Sequence, residues 1–388
     1  MALEEKLLRQ CLERFAGTVP KDNPAKSKES VTGLKFTKLP WPQKAGLSLF
    51  DYVCDVDFGG EHIEGRGTDP VENKAIIKAL GEALERICLR AAGLESQTSS
   101  GWAVHTNYQS AALNAQNELL ERHYVIGSHL TRESWNDVST SAKRESQLIS
   151  DLAAFLAREK IDLHCYVSEF DDRAQLAVIS DAHESARFGI YIGSAYGEAG
   201  QVRDQAALEA ARAGAHIARI LARLQGCYTD STELASEPRS KEQTVIPQLS
   251  LSEFLSARKW TTACHDRLAL HASSRPFYDY IWNKGNGRTG GTCSNGRKHT
   301  SPRPRTNSLE SGERDFDYNE LVSSVCLESM DLPEPLAGLP LVCVRATSSL
   351  LQPYFVGPTR PHNVNWAALR RLGFDDQSKL NTFPHPLG

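Results

Sequence analysis

Two stretches of this 388-residue chain place carboxylates where a core helix would carry leucine. "KALGEALERICLR" sets Glu82, Glu85 and Arg86 among alanine and leucine, and "NAQNELLERHYV" repeats the arrangement 36 residues later with Glu118, Glu121 and Arg122. On a helix, residues three apart share a face and residues four apart lie beside them, so each stretch turns two carboxylates and a guanidinium the same way. A looser third copy, "QAALEAARAG", puts Glu209 and Arg212 three apart. At average residue usage about 0.1 chance matches to Glu-x-x-Glu-Arg are expected in a chain this long, so two copies are not an accident of composition. Surface ion pairing accounts for one copy alone, at about 0.2–0.5 kcal/mol per pair, but gives no reason for a repeated context. Carboxylates converging from several helices suit Mg²⁺, a hard cation that takes oxygen ligands and substrate phosphates, and the arginines suit the phosphates themselves.

The elements that must position these faces follow from the patterning. A mixed-charge helix is predicted over 2–16, then a polar linker reaching residue 29. β-type runs follow at 33–38 and 46–55, and "GRGTDP" leads into a helix over about 71–93 that Gly93 closes. "GWAVHT" reads as a strand before a helix over 109–126, with another helix over 142–158. "IDLHCYVSEF", "AQLAVIS" and "FGIYIGS" are strand candidates; Cys165 falls in the core, and "DDRAQ" is a hairpin turn with no metal site implied. Beyond them come an alanine-rich helix over 202–225, short helices at 248–257 and 313–323, a buried strand in "LPLVCVRAT" and a helix over 364–372. Strands and helices are mixed rather than strictly alternating, which predicts an α+β fold.

Composition removes several classes of function. A net charge of −4 and a pI near 6.3 give no global attraction to nucleic acid or an anionic membrane. No apolar run approaches the roughly 18 residues of a membrane span, and the N-terminus lacks a signal peptide's apolar core. Nine scattered cysteines without a CxxC pair read as reduced thiols of a cytoplasmic protein, with neither zinc site nor disulfide framework, and no signature pairs one of them with a histidine. Residues 284–312 hold five glycines and six Lys/Arg before the first acid, Glu310, and are predicted to be a mobile basic loop. Within it, "GNGRTGG" and "GTCSNGRK" imitate phosphate-binding glycine motifs, but neither follows a convincing strand or opens a helix.

The acidic helices carry a resemblance. "GRGTDPVENKAIIKALGEALER" resembles the Gly-Lys-Gly…Ala…Glu-x-x-Glu-Arg segment of the YcaO family. "SGWAVHTNYQSAALNAQNELLER" is similar to that family's second helix, and "GSAYGEAGQVRDQAALEAAR" to its third, which ends Glu-x-x-Gln. "TGLKFTKLPWPQKAGLSLFDY" resembles its opening, and "LPLVCVRATSSLLQPYFVG" with "FPHPLG" its close. The resemblance covers about residue 30 onward, which implies an N-terminal helix and linker over 1–29 and a YcaO domain over 30–388. That domain would contain the basic loop at 284–312 and a proline-containing tail at 383–388.

What the resemblance implies is an α+β YcaO fold binding ATP and Mg²⁺ between acidic helices without a Walker motif. Glu82, Glu85, Glu118 and Glu121 then fall on the magnesium carboxylates, and Arg86 and Arg122 on the paired arginines, with Glu209 and Arg212 in support. Ser110 stands where the family usually has another metal-binding Glu, Arg212 replaces a Gln, and Arg66 replaces the Lys of Gly-Lys-Gly. The implied activity is an ATP-dependent cyclodehydratase that converts Cys, Ser or Thr of a ribosomally made precursor peptide to an azoline. Thioamide synthesis and a non-catalytic scaffold role are the alternatives. Implied partners are the precursor peptide, a leader-binding protein related to ubiquitin-activating enzymes and a flavin dehydrogenase, in a homo- or hetero-oligomer. His385 and the carboxylate of Gly388 are the candidates for the general base. Deleting 384–388 is expected to cut cyclisation far more than ATP binding or thermal stability.

Overall fold

The computed structural model describes residues 10–11, 13–14, 31–39, 47, 49–94, 100–182, 188–224, 251–256, 260, 264, 268, 271–282, 318–385 and 387. The linker up to residue 29, the basic loop at 284–312 and Gly388 lie outside them; residues 10, 11, 13 and 14 of the first predicted helix are helical.

Among the described residues the strands form three antiparallel sheets. The first joins β1 (Val31–Leu39), β2 (Phe50–Phe58) and β3 (Glu61–Asp69) in chain order. β3 escapes the sequence reading because "EHIEGRGTD" is polar, as an edge strand permits. Its signal is the pair Gly59 and Gly60, both at positive φ (60° and 82°), which form the two-residue hairpin turn after β2. The second sheet has the order β4 (Trp102–His105), β10 (Val342–Thr347), β9 (Cys326–Met330). The third runs β5 (Trp135–Asp137), β6 (Ile161–Ser168), β7 (Ala174–Asp181), β8 (Ile190–Tyr196).

Helix α1 (Glu72–Ala91) lies on the first sheet, and Gly93 (φ 66°) follows its end as predicted. Helix α2 (Tyr108–Thr131) runs beyond the predicted residue 126 and stops where Arg132 turns left-handed (φ 57°). Its alanine-rich start packs on Ala103, Val344 and Ala346 of the second sheet, and its later turns bury Tyr124, Ile126 and Leu130 against the third. The helix predicted over 142–158 is broken in two, α3 (Ser139–Glu145) and α4 (Gln147–Arg158). The break is at Ser146, which caps α4 by accepting from the Ile149 amide (3.2 Å).

Helices α4 and α5 (Ala199–Leu224) cover the opposite face of the third sheet from α2. Every residue of β7 is therefore buried: Leu176 and Val178 face the α2 side, Ala177 and Ile179 the α4–α5 side. This explains the unbroken apolar run of "AQLAVIS". Shorter pieces are α6 (Leu251–Leu255), a 3₁₀ helix (Ala272–Ile281), α7 (Tyr318–Ser323) and α8 (Trp366–Arg371). The α+β expectation holds. Among the described residues no helix is long and apolar enough to cross a membrane, and the seven described cysteines are free thiols.

Two glycine contacts set the depth of the acidic helices. A Cβ on Gly65 of β3 would lie 2.2 Å from the Ala79 carbonyl of α1, and one on Gly193 of β8 would lie 2.2 Å from the Ala206 carbonyl of α5. Each helix thus rests with its backbone on the strand before it. The alanines at the contact, Ala79 with Ala83 and Ala206 with Ala210, hold the same positions relative to Glu82 and to Glu209.

Candidate active site

β3, β4 and β8 are all outer strands of their sheets. A buried sheet edge carries backbone N–H groups that need acceptors, and here the acidic helices supply them. Glu82 Oε2 accepts from the Arg66 amide of β3 (2.7 Å), and Glu85 Oε1 from the Val104 amide of β4 (3.2 Å). Glu118 Oε2 accepts from the Gly101 amide just before β4 (3.0 Å), and Glu209 Oε2 from the Ser194 amide of β8 (3.0 Å). Glu121 Oε1 takes the Ser194 hydroxyl instead (2.6 Å). Three sheet edges and three helices therefore bring five carboxylates together, with Glu85 repelled by Glu118, Glu118 by Glu82 and Glu209, and Glu121 by Glu209.

In Glu85, Glu118 and Glu121 charge is held against its preference. Burial, then repulsion from Glu118, pushes the Glu85 carboxyl well above its usual range. Glu118 is raised by burial despite the nearby Arg122. Glu121 is pushed up to about 8, again chiefly by burial, with Arg122 pulling it down and Glu209 raising it. Arg122 sits between them at 17% exposure, its Nη1 3.1 Å from Glu121 and its Nη2 3.7 Å from Glu118. Burial works against its charge, but Glu121, Glu118 and Glu209 outweigh that and push its pKa up. Its guanidinium lies 5.8 Å from the Tyr354 ring.

A purely structural edge cap has no need of this arrangement, since a glutamine oxygen would accept the same N–H without repulsion. Among the described residues Glu85 Oε2, Glu121 Oε2 and Glu209 Oε1 have no hydrogen-bond partner. Among the described residues no three of these carboxylates bring oxygens within 4.8 Å of one another, so the donor set fits a hard cation that takes the rest of its shell from water or phosphate. Glu82 differs, because Oε1 is taken by Arg86 (2.6 Å) and the side chain is 35% exposed.

The other predicted residues fall at the margin. Arg86 pairs with Glu82 and donates to the Glu64 carbonyl. Arg212 lies half-buried on α5 in the position that Glu85 and Glu121 hold in the first two copies, without a polar partner among the described residues. Ser110 is in the first turn of α2, its amide capped by Asn107 (2.8 Å). Arg66 is engaged bidentately by the buried Asp51 of β2, Nε to Oδ1 at 3.1 Å and Nη2 to Oδ2 at 2.6 Å. His385 is fully buried; its Nε2 donates to the Phe355 carbonyl and its ring meets Tyr354 at 5.0 Å. The histidine is thus joined to Arg122 through the Tyr354 ring. Sequence reasoning missed Ser194, Tyr354 and the amides of β3 and β4. The signal was a glycine 16 or 17 residues before the first Glu of each copy: Gly65, Gly101 and Gly193.

Comparison with known structures identifies the fold. A chain described as a heterocyclase in complex with substrate and cofactor superposes over 99% of this chain, with TM-score 0.55 and 13% identity. A chain of the E. coli microcin synthetase McbBCD complex with pro-MccB17 bound superposes over 91%, with TM-score 0.51 and 11% identity. The fold is that of these heterocyclases. This chain spans 57% of the first and 96% of the second. A YcaO from Methanopyrus kandleri bound with AMPPCP and Mg²⁺ covers 99% of this chain and is covered for 96%, at TM-score 0.47 and 12% identity. No protein-family model matches the sequence, and no curated protein matches it.

The raised carboxyls give a first prediction. The folded chain holds more protons than the unfolded chain between the usual carboxylate range and about 8, where Glu121 titrates, so stability is lost as pH rises through that window. Without metal, the melting temperature is expected to fall from about pH 6 to about pH 9, and Mg²⁺ to restore it while releasing protons. Calorimetry with chelator or with Mg²⁺ reads this directly; a metal-free melting temperature that is flat or rises with pH would contradict it.

Proposed function

We propose that this chain is an ATP- and Mg²⁺-dependent enzyme that activates backbone amides of a ribosomally made peptide and closes Cys, Ser or Thr side chains onto them as azolines. The observation that carries the reading is the convergence of five carboxylates from three helices on a heterocyclase fold, with burial disfavouring the charge of Glu85, Glu118 and Glu121. The residues that would hold Mg²⁺ are Glu85, Glu118, Glu121 and Glu209, with Glu82 at the rim; Arg122 and Arg86 would meet phosphate. When bound, Mg·ATP supplies the phosphoryl group that turns a poor leaving group, the amide oxygen, into a good one, with the cation spreading the charge of the transfer.

The chain's own part is to position and to neutralise. Backbone amides at the sheet edges fix one oxygen each of Glu82, Glu85, Glu118 and Glu209, so the free oxygens of Glu85 and Glu209 are presented without rotamer search. Arg122 balances the carboxylates and brings a forked donor to phosphate. The low polarity that raises Glu85 and Glu121 also strengthens each contact a phosphate makes there. A leader-binding partner protein would deliver the peptide, and a flavin dehydrogenase would act on the azoline product.

The test is a precursor peptide rich in Cys, Ser and Thr, assayed with and without a leader-binding partner. Peptide-stimulated ATP hydrolysis separates an enzyme from a scaffold. Loss of water per modified residue supports cyclisation, whereas exchange of oxygen for sulfur would replace it with thioamidation. Peptide left unmodified with the partner present would remove the catalytic reading.

A further inference from the structure

Ser194 is a single residue of β8 that touches two acidic helices at once. Its hydroxyl donates to Glu121 Oε1 of α2 (2.6 Å), and its backbone N–H donates to Glu209 Oε2 of α5 (3.0 Å). It is 2% exposed. Around it, Gly193 lets α5 rest on β8, and two residues further along the strand Tyr196 donates to Asp171 Oδ2 (2.8 Å), which also accepts from Tyr124 of α2 (3.1 Å). The rings of Tyr124 and Tyr196 stack at 5.7 Å and 8° beside this tie.

The serine hydroxyl competes with Arg122 for the same oxygen. Glu121 Oε1 lies 2.6 Å from Ser194 Oγ and 3.1 Å from Arg122 Nη1. Without the hydroxyl, Glu121 has only Arg122 to satisfy it, and the carboxylate is free to turn both oxygens onto the guanidinium in a closed bidentate pair. With it, Oε1 is pinned toward β8 and Oε2 is left for the site.

We infer that Ser194 is the positioning residue of this site, fixing the carboxylates of α2 and α5 against one another so that each keeps one oxygen available for the metal. The inference rests on the proposed metal–nucleotide reading. Losing a group that orients a metal ligand costs about 10–100-fold in metal affinity.

The experiment uses the full chain with Mn²⁺ as a paramagnetic probe, titrated by electron paramagnetic resonance with a non-hydrolysable ATP analogue. Ser194→Ala is expected to weaken Mn²⁺ binding about 10–100-fold. Ser194→Thr, which keeps the hydroxyl and suits a strand, is expected to restore most of it. Tyr196→Phe loosens the same strand without touching Glu121 and is expected to bind Mn²⁺ as wild type does. Circular dichroism melts establish that each variant is folded. The inference is overturned if Ser194→Ala binds Mn²⁺ normally, if Tyr196→Phe weakens binding as much, or if Ser194→Ala does not fold, which would make the serine a structural residue. A wild-type chain that binds no Mn²⁺ with nucleotide brings down the functional reading itself, and the inference with it, a result distinct from a defect confined to Ser194→Ala.

Discussion

Glu121→Gln is expected to abolish Mg²⁺-dependent nucleotide binding and ATP turnover while leaving the metal-free fold at neutral pH unchanged. Burial pushes the carboxyl up and so favours its neutral form before metal arrives, a form that a carboxamide imitates in shape. Glutamine keeps an oxygen for the Ser194 hydroxyl, so the tie to β8 survives. What it removes is the charge that metal binding requires. Second-sphere changes cost about 10–100-fold in metal affinity, so loss of a direct ligand is expected to exceed the upper figure. Glu85→Gln should match it, since its Val104 bond is likewise kept and its carboxyl is raised further by Glu118. Glu82→Gln should be milder, because Glu82 is partly exposed and both of its oxygens are engaged by the Arg66 amide and Arg86. Nucleotide-binding titrations at saturating Mg²⁺ check the order. Unaltered binding in Glu85→Gln and Glu121→Gln would return these helices to the role of sheet-edge caps.

The part of this site that was legible in the sequence is the part that helical geometry governs. A spacing of three or four residues fixes a shared face whatever surrounds the helix, so Glu82 with Glu85, and Glu118 with Glu121, could each be set on one face from the pattern alone. The boundaries of α1 and β7 followed for the same reason: Gly93 and an unbroken apolar run are local signals. Ser194 could not be found that way, because its role depends on β8 being an outer strand, a property of sheet order rather than of neighbours in sequence. β3 was lost because an edge strand tolerates polar residues on both faces, which removes the alternation that marks a strand. The split at Ser146 was hidden because a serine inside an apolar-periodic run reads equally as an interior residue or as a cap.

Deleting residues 384–388 is expected to lower stability substantially, contrary to the expectation that cyclisation suffers far more than thermal stability. The described residues of this segment are core, not fringe: Pro384 is buried, His385 has no exposed surface and Leu387 is 2% exposed. The Pro384 carbonyl accepts from the buried Tyr278 hydroxyl (3.1 Å), and His385 donates to Phe355. Just before them, the Phe383 carbonyl accepts from His129 Nε2 (2.7 Å) and the Asn381 amide donates to the Leu130 carbonyl (2.9 Å), both on the last turns of α2. Removing a buried leucine alone costs about 2–5 kcal/mol, and stranding the Tyr278 hydroxyl adds about 1–3 kcal/mol. Against a total stability of about 5–15 kcal/mol, the truncated chain is expected to melt well below the intact one. Because the His385 ring packs edge-on against His129 (6.4 Å), near the end of the helix that carries Glu118, Glu121 and Arg122, nucleotide binding should weaken with the fold rather than apart from it. Leu387→Ala is the graded version, with a smaller loss of melting temperature in the same direction. A truncated chain that melts with the intact protein yet no longer modifies its peptide would reverse this conclusion and give the segment a catalytic role separate from packing.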